Sequence, residues 1–191
     1  MMRRLTALFA ATCMAFPACA DPLRDRATAL FEPLPDVVSM LKGTPITPEA
    51  VALGKALFFD PRLSASGLFS CASCHNLATG GDDNIETSVG HGSQKGPRNA
   101  PTVLNAVLNA AQFWDGRAAD LAAQAQSPIK AGIEMSNTAE SVEITLYSLP
   151  PYEEWFVEAF PGQDPALSFD NLAHAIEAFE ATLLTPAPWD A

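Results

Sequence analysis

Apolar positions recur at helical spacing towards the end of the chain. The segment that begins at Ser168, a residue suited to an N-cap, carries four of them on one face: Leu172, Ile176, Phe179 and Leu183. A second helix start is Thr47-Pro48-Glu49, which combines an N-cap, a proline at the first helical position and an acid in the first turn. This helix is expected to run to about Phe59 and to stop at Asp60-Pro61.

Weaker patterns predict four shorter helices, over residues 102–109, 118–126, 137–148 and 152–160. Asn137 and Glu140 resemble a capping box that opens the third of these, and Pro150-Pro151 ends it. The sequence has no sustained alternation of apolar and polar residues, so strands should be few. The chain is therefore predicted to be mostly α.

A long polar stretch, from Ser64 to Pro101, interrupts this helical pattern. It is rich in Gly, Ser, Asn and Asp and has few apolar residues outside one short cysteine motif. Because a long loop inside a compact domain is usually functional, this stretch is expected to surround a binding site.

The first 20 residues have the pattern of a secretory signal peptide. Arg3 and Arg4 precede an uncharged apolar run over residues 5–16, and Ala18-Cys19-Ala20 fits a cleavage site that leaves Asp21 as the first mature residue. The apolar run is too short to span a bilayer, and no later segment offers about 18 consecutive apolar residues. A lipoprotein signal at the cysteine of the cleavage site is the alternative.

Removal of 20 of the 191 residues leaves 171, which are expected to form one domain over residues 21–191. Arg3 and Arg4 leave with the signal, so 9 of the 11 basic residues remain against 22 acidic ones, a net charge of −13. Such a surface disfavours nucleic acid and anionic lipid as partners. It could steer a basic redox protein, although acidity also serves ordinary solubility.

The mature chain keeps two cysteines, and both belong to Cys71-Ala72-Ser73-Cys74-His75. This C-x-x-C-H motif is typical of haem c attachment, in which each thiol bonds one haem vinyl group and His75 ligates the iron. A zinc site would need a second Cys or His pair, and a thioredoxin-like site would need a βαβ pattern. A structural disulfide is the third alternative. Covalent haem attachment after export indicates a bacterial periplasm.

The chain has two further histidines. His174 lies in the predicted last helix between two alanines and is interpreted as structural or exposed. His91 lies between Gly90 and Gly92 in the loop after the haem motif, where glycines allow close approach of the backbone. It is either a displaceable distal ligand of the same iron or a loop histidine without a role.

Several separated motifs resemble the bacterial di-haem cytochrome c peroxidases and the related methylamine-utilisation (MauG-type) enzymes. The motifs are LGKALFFDPRLS at 53–64, GHGSQKGPRNAPT at 90–102, FWDGRA at 113–118 and AGIEM at 131–135. The resemblance covers residues 45–186 and implies a mostly α, cytochrome c-like haem domain with long loops around the haem. Within that family, the chain is similar to the N-terminal, peroxidatic half.

The resemblance also implies roles for individual residues. The histidine matching His91 caps the resting iron and leaves on activation, which opens a site for H2O2. The glutamate matching Glu134 and the glutamine matching Gln124 line this distal pocket. The tryptophan matching Trp114 lies between the two haems, and the asparagine matching Asn99 belongs to a calcium site at the domain boundary.

Elementary chemistry supports these roles. Cleavage of the O–O bond needs a proton moved from one oxygen to the other, and Glu134 can act as base and then acid if burial raises its pKa. Gln124 can hydrogen-bond peroxide or water without changing charge, and Trp114 offers an oxidisable bridge for electrons. Taken without the resemblance, Glu134 would be a surface acid, Gln124 a helix-surface amide and Trp114 a core residue.

The sequence has one C-x-x-C-H motif, whereas the family's second half, with its own haem, would begin near Thr185-Pro186. The chain is therefore expected to be a fragment, a truncated product or half of a two-chain enzyme. The leading interpretation is a periplasmic peroxidase, or its peroxidatic domain, with one covalent haem c. Its expected electron donor is a cytochrome c or a small copper protein. The alternatives are a monohaem electron-transfer cytochrome ligated by His75 and Met135, and a haem-based sensor module.

Overall fold

The computed structural model describes residues 22–35, 40–42 and 44–190. These residues contain seven α-helices and two short strands: α1 Pro22–Thr28, β1 Met40–Leu41, β2 Thr44–Pro45, α2 Pro48–Phe58, α3 Cys71–Cys74, α4 Leu121–Lys130, α5 Ala139–Tyr147, α6 Tyr152–Ala159 and α7 Phe169–Glu180. The strands pair in antiparallel fashion. The prediction of a mostly α chain with few strands is confirmed. The predicted signal peptide and its cleavage site lie outside the described residues.

The described residues divide into a short unit that ends at Pro33 and holds α1, and a larger unit that begins at Leu34 and holds the other elements. None of the helices in the described part of the chain is long and apolar enough to cross a bilayer.

Helices α2 and α7 pack against each other at the centre of the larger unit, with α4 against α7 and α6 against α2. Gly54 permits this close crossing, because a Cβ atom there would overlap the carbonyl oxygen of Ala175. The rings of Phe58 and Phe179 meet edge to face with 5.3 Å between their centroids. This crossing forms the apolar core that supports the site.

The two strongest helix predictions are confirmed. Thr47 caps α2 by accepting a hydrogen bond from the Ala50 N–H at 3.1 Å. Ser168 caps α7 by accepting one from the Asn171 N–H at 3.2 Å. The predicted apolar face of α7 is buried as far as Phe179, but Leu183 lies beyond the end of the helix and is only partly buried.

The helix predicted at 102–109 is wrong, since only a single 3-10 turn forms there, over Ala106–Leu108. Backbone groups that a helix would use are engaged elsewhere. The Val103 N–H donates to the Gly81 carbonyl at 3.3 Å, and the Asn105 N–H donates to the Leu183 carbonyl at 2.8 Å. Tertiary hydrogen bonds have therefore replaced the local ones.

Two other helices start later than predicted. The predicted helix at 118–126 begins at Leu121, after the N-cap Asp120, because Ala118 forms an isolated bridge with Gln112. The cap of α5 is Thr138 and not Asn137, whose side-chain amide instead donates to the Leu63 carbonyl at 3.0 Å. A local bridge therefore delays the start of the first helix, and a contact with a distant segment delays the start of α5.

The long polar loop is held at its entrance by a charged cluster. Arg62 Nε donates to Asp60 Oδ1 at 2.8 Å, and the Tyr152 hydroxyl donates to Asp60 Oδ2 at 2.6 Å. Asp60 is buried, so these bonds satisfy a carboxylate that water cannot reach. Beyond this cluster, α3 and single 3-10 turns are the helical parts of the predicted loop, residues 64–101.

Candidate functional site

One cavity of about 280 Å³ brings most of the predicted site residues together. Its lining includes seven of the eight: Cys71, Cys74, His75, Asn99, Trp114, Gln124 and Glu134. Met135, the alternative iron ligand, also lines it and is buried. The eighth residue, His91, lies beside the cavity and does not contribute to its lining.

Helix α3 presents both cysteines to the cavity. It is a single turn, and residues three apart lie on the same side of a helix, so Cys71 and Cys74 point the same way. The Ser70 N–H donates to Ser73 Oγ at 3.0 Å, and the His75 N–H donates to the Cys71 carbonyl at 2.9 Å. These local bonds hold the spacing that attachment to two vinyl groups of one haem requires.

The state of the two thiols argues against the alternatives for this motif. Both cysteines are free and not joined in a disulfide. Burial, with a smaller contribution from the charge of Glu180, raises the pKa of the Cys71 thiol to about 12, and burial also raises that of Cys74. Zinc binds thiolates, and no set of three His, Cys, Asp or Glu residues within the described ranges could hold a metal ion.

His75 is oriented by the backbone of the loop that follows it. Its Nδ1 lies 3.3 Å from the carbonyl oxygen of Gly81. Burial lowers the pKa of His75, which favours the neutral ring; with the proton on Nδ1, the lone pair of Nε2 is free for a metal. Gly81 has a φ of +82°, and a Cβ atom there would come within 2.6 Å of Thr102 Oγ1, so this turn requires glycine.

Gln124 reaches the cavity from α4, and Glu134 reaches it from the turn after α4. The Glu134 N–H donates to the Ala131 carbonyl at 3.0 Å, and the Met135 N–H donates to Pro128 at 3.1 Å, which folds the turn back onto the helix. Surrounding protein raises the pKa of the Glu134 carboxyl by desolvation, and the positive charge of Arg117 offsets part of that rise. Glu134 is nevertheless an exposed residue, as a surface acid would be, so it can exchange protons with solvent.

The loop that carries His91 packs on Glu134 through its backbone. The His91 N–H donates to the Glu134 carbonyl at 2.8 Å. Gly90 leaves no room for a side chain, because a Cβ atom would overlap the Ile133 carbonyl oxygen. His91 Nδ1 is buried and has no hydrogen-bond partner among the described residues. The structure thus brings His91 next to Glu134 with one ring nitrogen unsatisfied.

Trp114 is exposed over 66 % of its surface and lies at the rim of the cavity, so its interpretation as a core residue is wrong. Its indole N–H donates to the Asn99 carbonyl at 2.9 Å. The side-chain NH2 of Asn99 donates in turn to the Ile85 carbonyl at 2.8 Å, so the side-chain oxygen Oδ1 takes no part in this hydrogen bond. Trp114 therefore belongs to an exposed surface and not to a packed interior.

Sequence reasoning missed Glu180, which also lines the cavity although it is only 4 % exposed. Its Oε2 is buried without a hydrogen-bond partner in the described part of the chain. One signal was available: Glu180 follows Ile176 by four residues and therefore falls on the apolar face of the last helix. An acid in that position is rarely left buried without a function.

These residues fit a covalent haem c. Two free thiols and a histidine with an available nitrogen face one cavity, and Glu180 offers a buried polar atom at its lining that no described residue satisfies. Cys71, Cys74 and His75 would hold the group.

Comparisons with known proteins also indicate a haem protein. Residues 48–191 match the family described as di-haem cytochrome c peroxidase. A cytochrome c551 peroxidase of Pseudomonas aeruginosa is 59 % identical over 174 residues, which are 91 % of this chain and 50 % of that protein. The methylamine utilization protein MauG of Methylorubrum extorquens is 45 % identical over 157 residues, which are 82 % of this chain and 44 % of that protein.

Solved structures agree. A MauG-like protein associated with microbial copper homeostasis superposes with a TM-score of 0.72 at 26 % identity, covering 90 % of this chain and 47 % of that one. The expected mostly α, cytochrome c-like fold is confirmed. The chain spans about half the length of the curated relatives it matches. By its sequence, its fold and the residues of its cavity, the chain belongs to the di-haem cytochrome c peroxidase family.

Proposed function

We propose that this chain is the peroxidatic haem domain of a periplasmic peroxidase, which reduces H2O2 to water with electrons from a cytochrome c or another small redox protein. The observation that carries the proposal is the cavity itself. It joins a haem-attachment motif, Cys71 to His75, to a carboxyl group, Glu134, whose pKa is raised by desolvation. The periplasmic location rests on the signal-peptide pattern of the first 20 residues.

Haem c held by Cys71, Cys74 and His75 would supply the redox-active iron at which peroxide is reduced. Glu134 would take the proton from one peroxide oxygen and return it to the other as the O–O bond breaks. Its raised pKa brings it closer to the working pH, where both transfers are efficient. Gln124 would orient the peroxide by hydrogen bonding and add no charge.

His91 is proposed as a displaceable distal ligand. Its unsatisfied Nδ1 and its position beside Glu134 support this role. Gly92, with a φ of +64°, adjoins it, and the local segment Gly90–Gln94 is closed by its own hydrogen bond between the Gly90 N–H and the Gln94 carbonyl at 2.9 Å. Displacement of this segment would break the bond from the His91 N–H to the Glu134 carbonyl, which lies outside the α2–α7 core.

Trp114 is proposed to pass electrons between this haem and a second haem, in a further domain or a partner chain. Its exposure at the cavity rim and the half-length match to the relatives support that role. Asn99 would contribute to a calcium site on the same surface through its Oδ1, and this remains a prediction.

Electron transfer by a monohaem cytochrome is the second candidate function. Met135 is 4 % exposed and lines the cavity, so it could ligate the iron opposite His75. A methionine–iron charge-transfer band in the ferric spectrum would support this candidate and contradict the proposed peroxide site.

The decisive test is Glu134→Gln in the haem-loaded protein. We expect peroxide-bond cleavage, followed by stopped-flow absorption, to slow by about 10²–10⁴-fold because the proton shuttle is lost. Haem content should not change. Glu158→Gln is the matched control, since Glu158 is an exposed acid on α6 outside the cavity. Equal rates for Glu134→Gln and the unaltered protein would refute the role of Glu134.

His91→Gly tests the distal ligand. We expect the ferric haem to become five-coordinate or water-bound and to react with peroxide without prior activation. An absorption spectrum identical to that of the unaltered protein would show that His91 is not a ligand.

A further inference from the structure

Helix α7 carries three titratable side chains spaced three residues apart: His174, Glu177 and Glu180. Residues at this spacing are neighbours on a helix surface. The His174 side chain is 56 % exposed, whereas Glu177 and Glu180 are only 5 % and 4 % exposed. The series therefore leads from solvent into the protein interior.

The outer pair is in direct contact. His174 Nδ1 lies 3.3 Å from Glu177 Oε2. The hydrogen bond with Glu177 raises the pKa of His174, against a smaller opposing effect of burial. Asp170 and Lys42 also influence His174 electrostatically, with opposite signs. An exposed imidazole that contacts a buried carboxyl group can pass protons between solvent and that carboxyl group.

The inner end of the series lies at the haem cavity. Glu180 lines it together with Ile176 and Cys71, and its Oε2 has no hydrogen-bond partner among the described residues. Burial, followed by the negative charge of Glu177, raises the pKa of Glu180 to about 8. Glu180 is therefore largely protonated at neutral pH and offers a proton at the cavity.

The proposed reaction needs such a source. Reduction of H2O2 to two molecules of water consumes two electrons and two protons. Glu134 returns the proton that it takes, so it contributes none of the two. Both must come from solvent, either through the mouth of the cavity or along a path through the protein.

We propose that His174, Glu177 and Glu180 form a proton path along helix α7 that brings protons from solvent to the haem cavity as electrons enter it. This inference rests on the proposed peroxidase function. For each electron from the one-electron donor, Glu180 gives its proton to the cavity and takes another from Glu177. Glu177 receives a new proton from solvent through His174. Each side chain therefore ends in the protonation state in which it began, and one proton has left the solvent.

Other charged groups share these surroundings. Arg98, Arg117 and Glu134 line the same cavity as Glu180, as does His75. The variants below leave these groups in place, so any change that they produce is assigned to the path.

The first test measures proton uptake without peroxide turnover. In the haem-loaded protein, reduction coupled to proton uptake lowers the midpoint potential by up to about 59 mV for each tenfold fall in proton concentration. We expect this slope around pH 8 and expect Glu180→Gln to flatten it, while Glu158→Gln preserves it. An unchanged slope in Glu180→Gln would overturn the proposal. Glu180→Met, which removes the carboxyl group without leaving a buried amide, repeats the test with the same expected result if Glu180→Gln folds poorly.

The second test addresses the entrance. We expect His174→Ala to slow peroxide reduction and added imidazole to restore the rate, because a diffusible base can replace an exposed histidine. A purely structural role would not be rescued in this way. A His174→Ala rate equal to that of the unaltered protein would show that protons enter elsewhere, and the path would be refuted.

The two proposals fail separately. If the protein does not reduce peroxide, the proposed function is wrong, but the dependence of potential on pH still measures the link between Glu180 and the haem. If Glu134→Gln is inactive while Glu180→Gln and His174→Ala behave as the unaltered protein, the peroxidase function stands and the path is wrong.

Discussion

The cavity has two sides that are built in different ways. The motif side consists of Cys71, Cys74 and His75, which lie within five consecutive residues and are held by bonds inside a single helical turn. The opposite side joins Glu134 to the loop of His91, about 40 positions earlier, through backbone contact. Cofactor attachment thus depends on local geometry, whereas the proposed reactivity depends on how distant segments meet.

Removal of the motif side should have the largest effect. In the double variant Cys71→Ala/Cys74→Ala, no thioether can form, so we expect complete loss of covalently bound haem. Haem staining after denaturing electrophoresis, or acid extraction of haem, measures this. Covalent haem retained by the double variant would contradict the assignment of the motif.

The buried acid Glu180, which lines the cavity from helix α7, should make stability depend on pH. The pKa of Glu180 is raised from its ordinary value of 4.5 to about 8 by burial, so the folded state binds the extra proton between these values. Its contribution to stability is fully present below pH 4.5 and is lost as the pH rises through 8.

Glu180→Gln should remove this loss. We therefore expect the free energy of unfolding of the unaltered protein to fall relative to that of Glu180→Gln between pH 5 and pH 8, measured by urea denaturation of the haem-loaded proteins. Glu158→Gln serves as the control. If the free energy of unfolding varied with pH in the same way for the unaltered protein and Glu180→Gln, the pKa of Glu180 would not be raised in the folded state.

Gly90→Ala tests the contact between the His91 loop and Glu134. The new Cβ atom would overlap the Ile133 carbonyl oxygen, so we expect a loss of about 1–3 kcal/mol in unfolding free energy. Gly96→Ala is the matched control in the same loop, because its nearest neighbour would be 3.8 Å away, and it should change stability by less than about 0.5 kcal/mol. Equal effects of the two substitutions would mean that the close backbone contact is absent.

Ser73→Ala tests a local contact on the motif side and should have the smallest effect. It removes two exposed hydrogen bonds with Ser70, one from the Ser70 N–H at 3.0 Å and a longer one between the two hydroxyl groups at 3.5 Å. We expect a loss of about 0.5–1 kcal/mol with covalent haem retained. Thermal denaturation and haem staining measure the two outcomes. A loss larger than that of Gly90→Ala would reverse the proposed contrast between the two sides.

Much of the helical frame could be predicted from local signals. The caps at Thr47 and Ser168 are where the sequence places them, because a side chain that caps a helix acts on its own next few residues. Prediction failed where a distant partner intervened. Asn137 was expected to cap α5 but bonds to Leu63. The helix expected over residues 102–109 did not form, because backbone N–H groups in this segment donate to Gly81 and Leu183.

The sequence by itself determined the haem-attachment motif and, through several separated motifs, the family to which the chain belongs. These features depend on the spacing of neighbouring residues and on residue identity, which the sequence states directly. Only the tertiary structure decided that Trp114 is exposed, that His91 adjoins Glu134, and that Glu180 lies at the cavity. Burial and the contacts between remote segments set these positions, because both depend on how α4, α7 and the loops pack around one space.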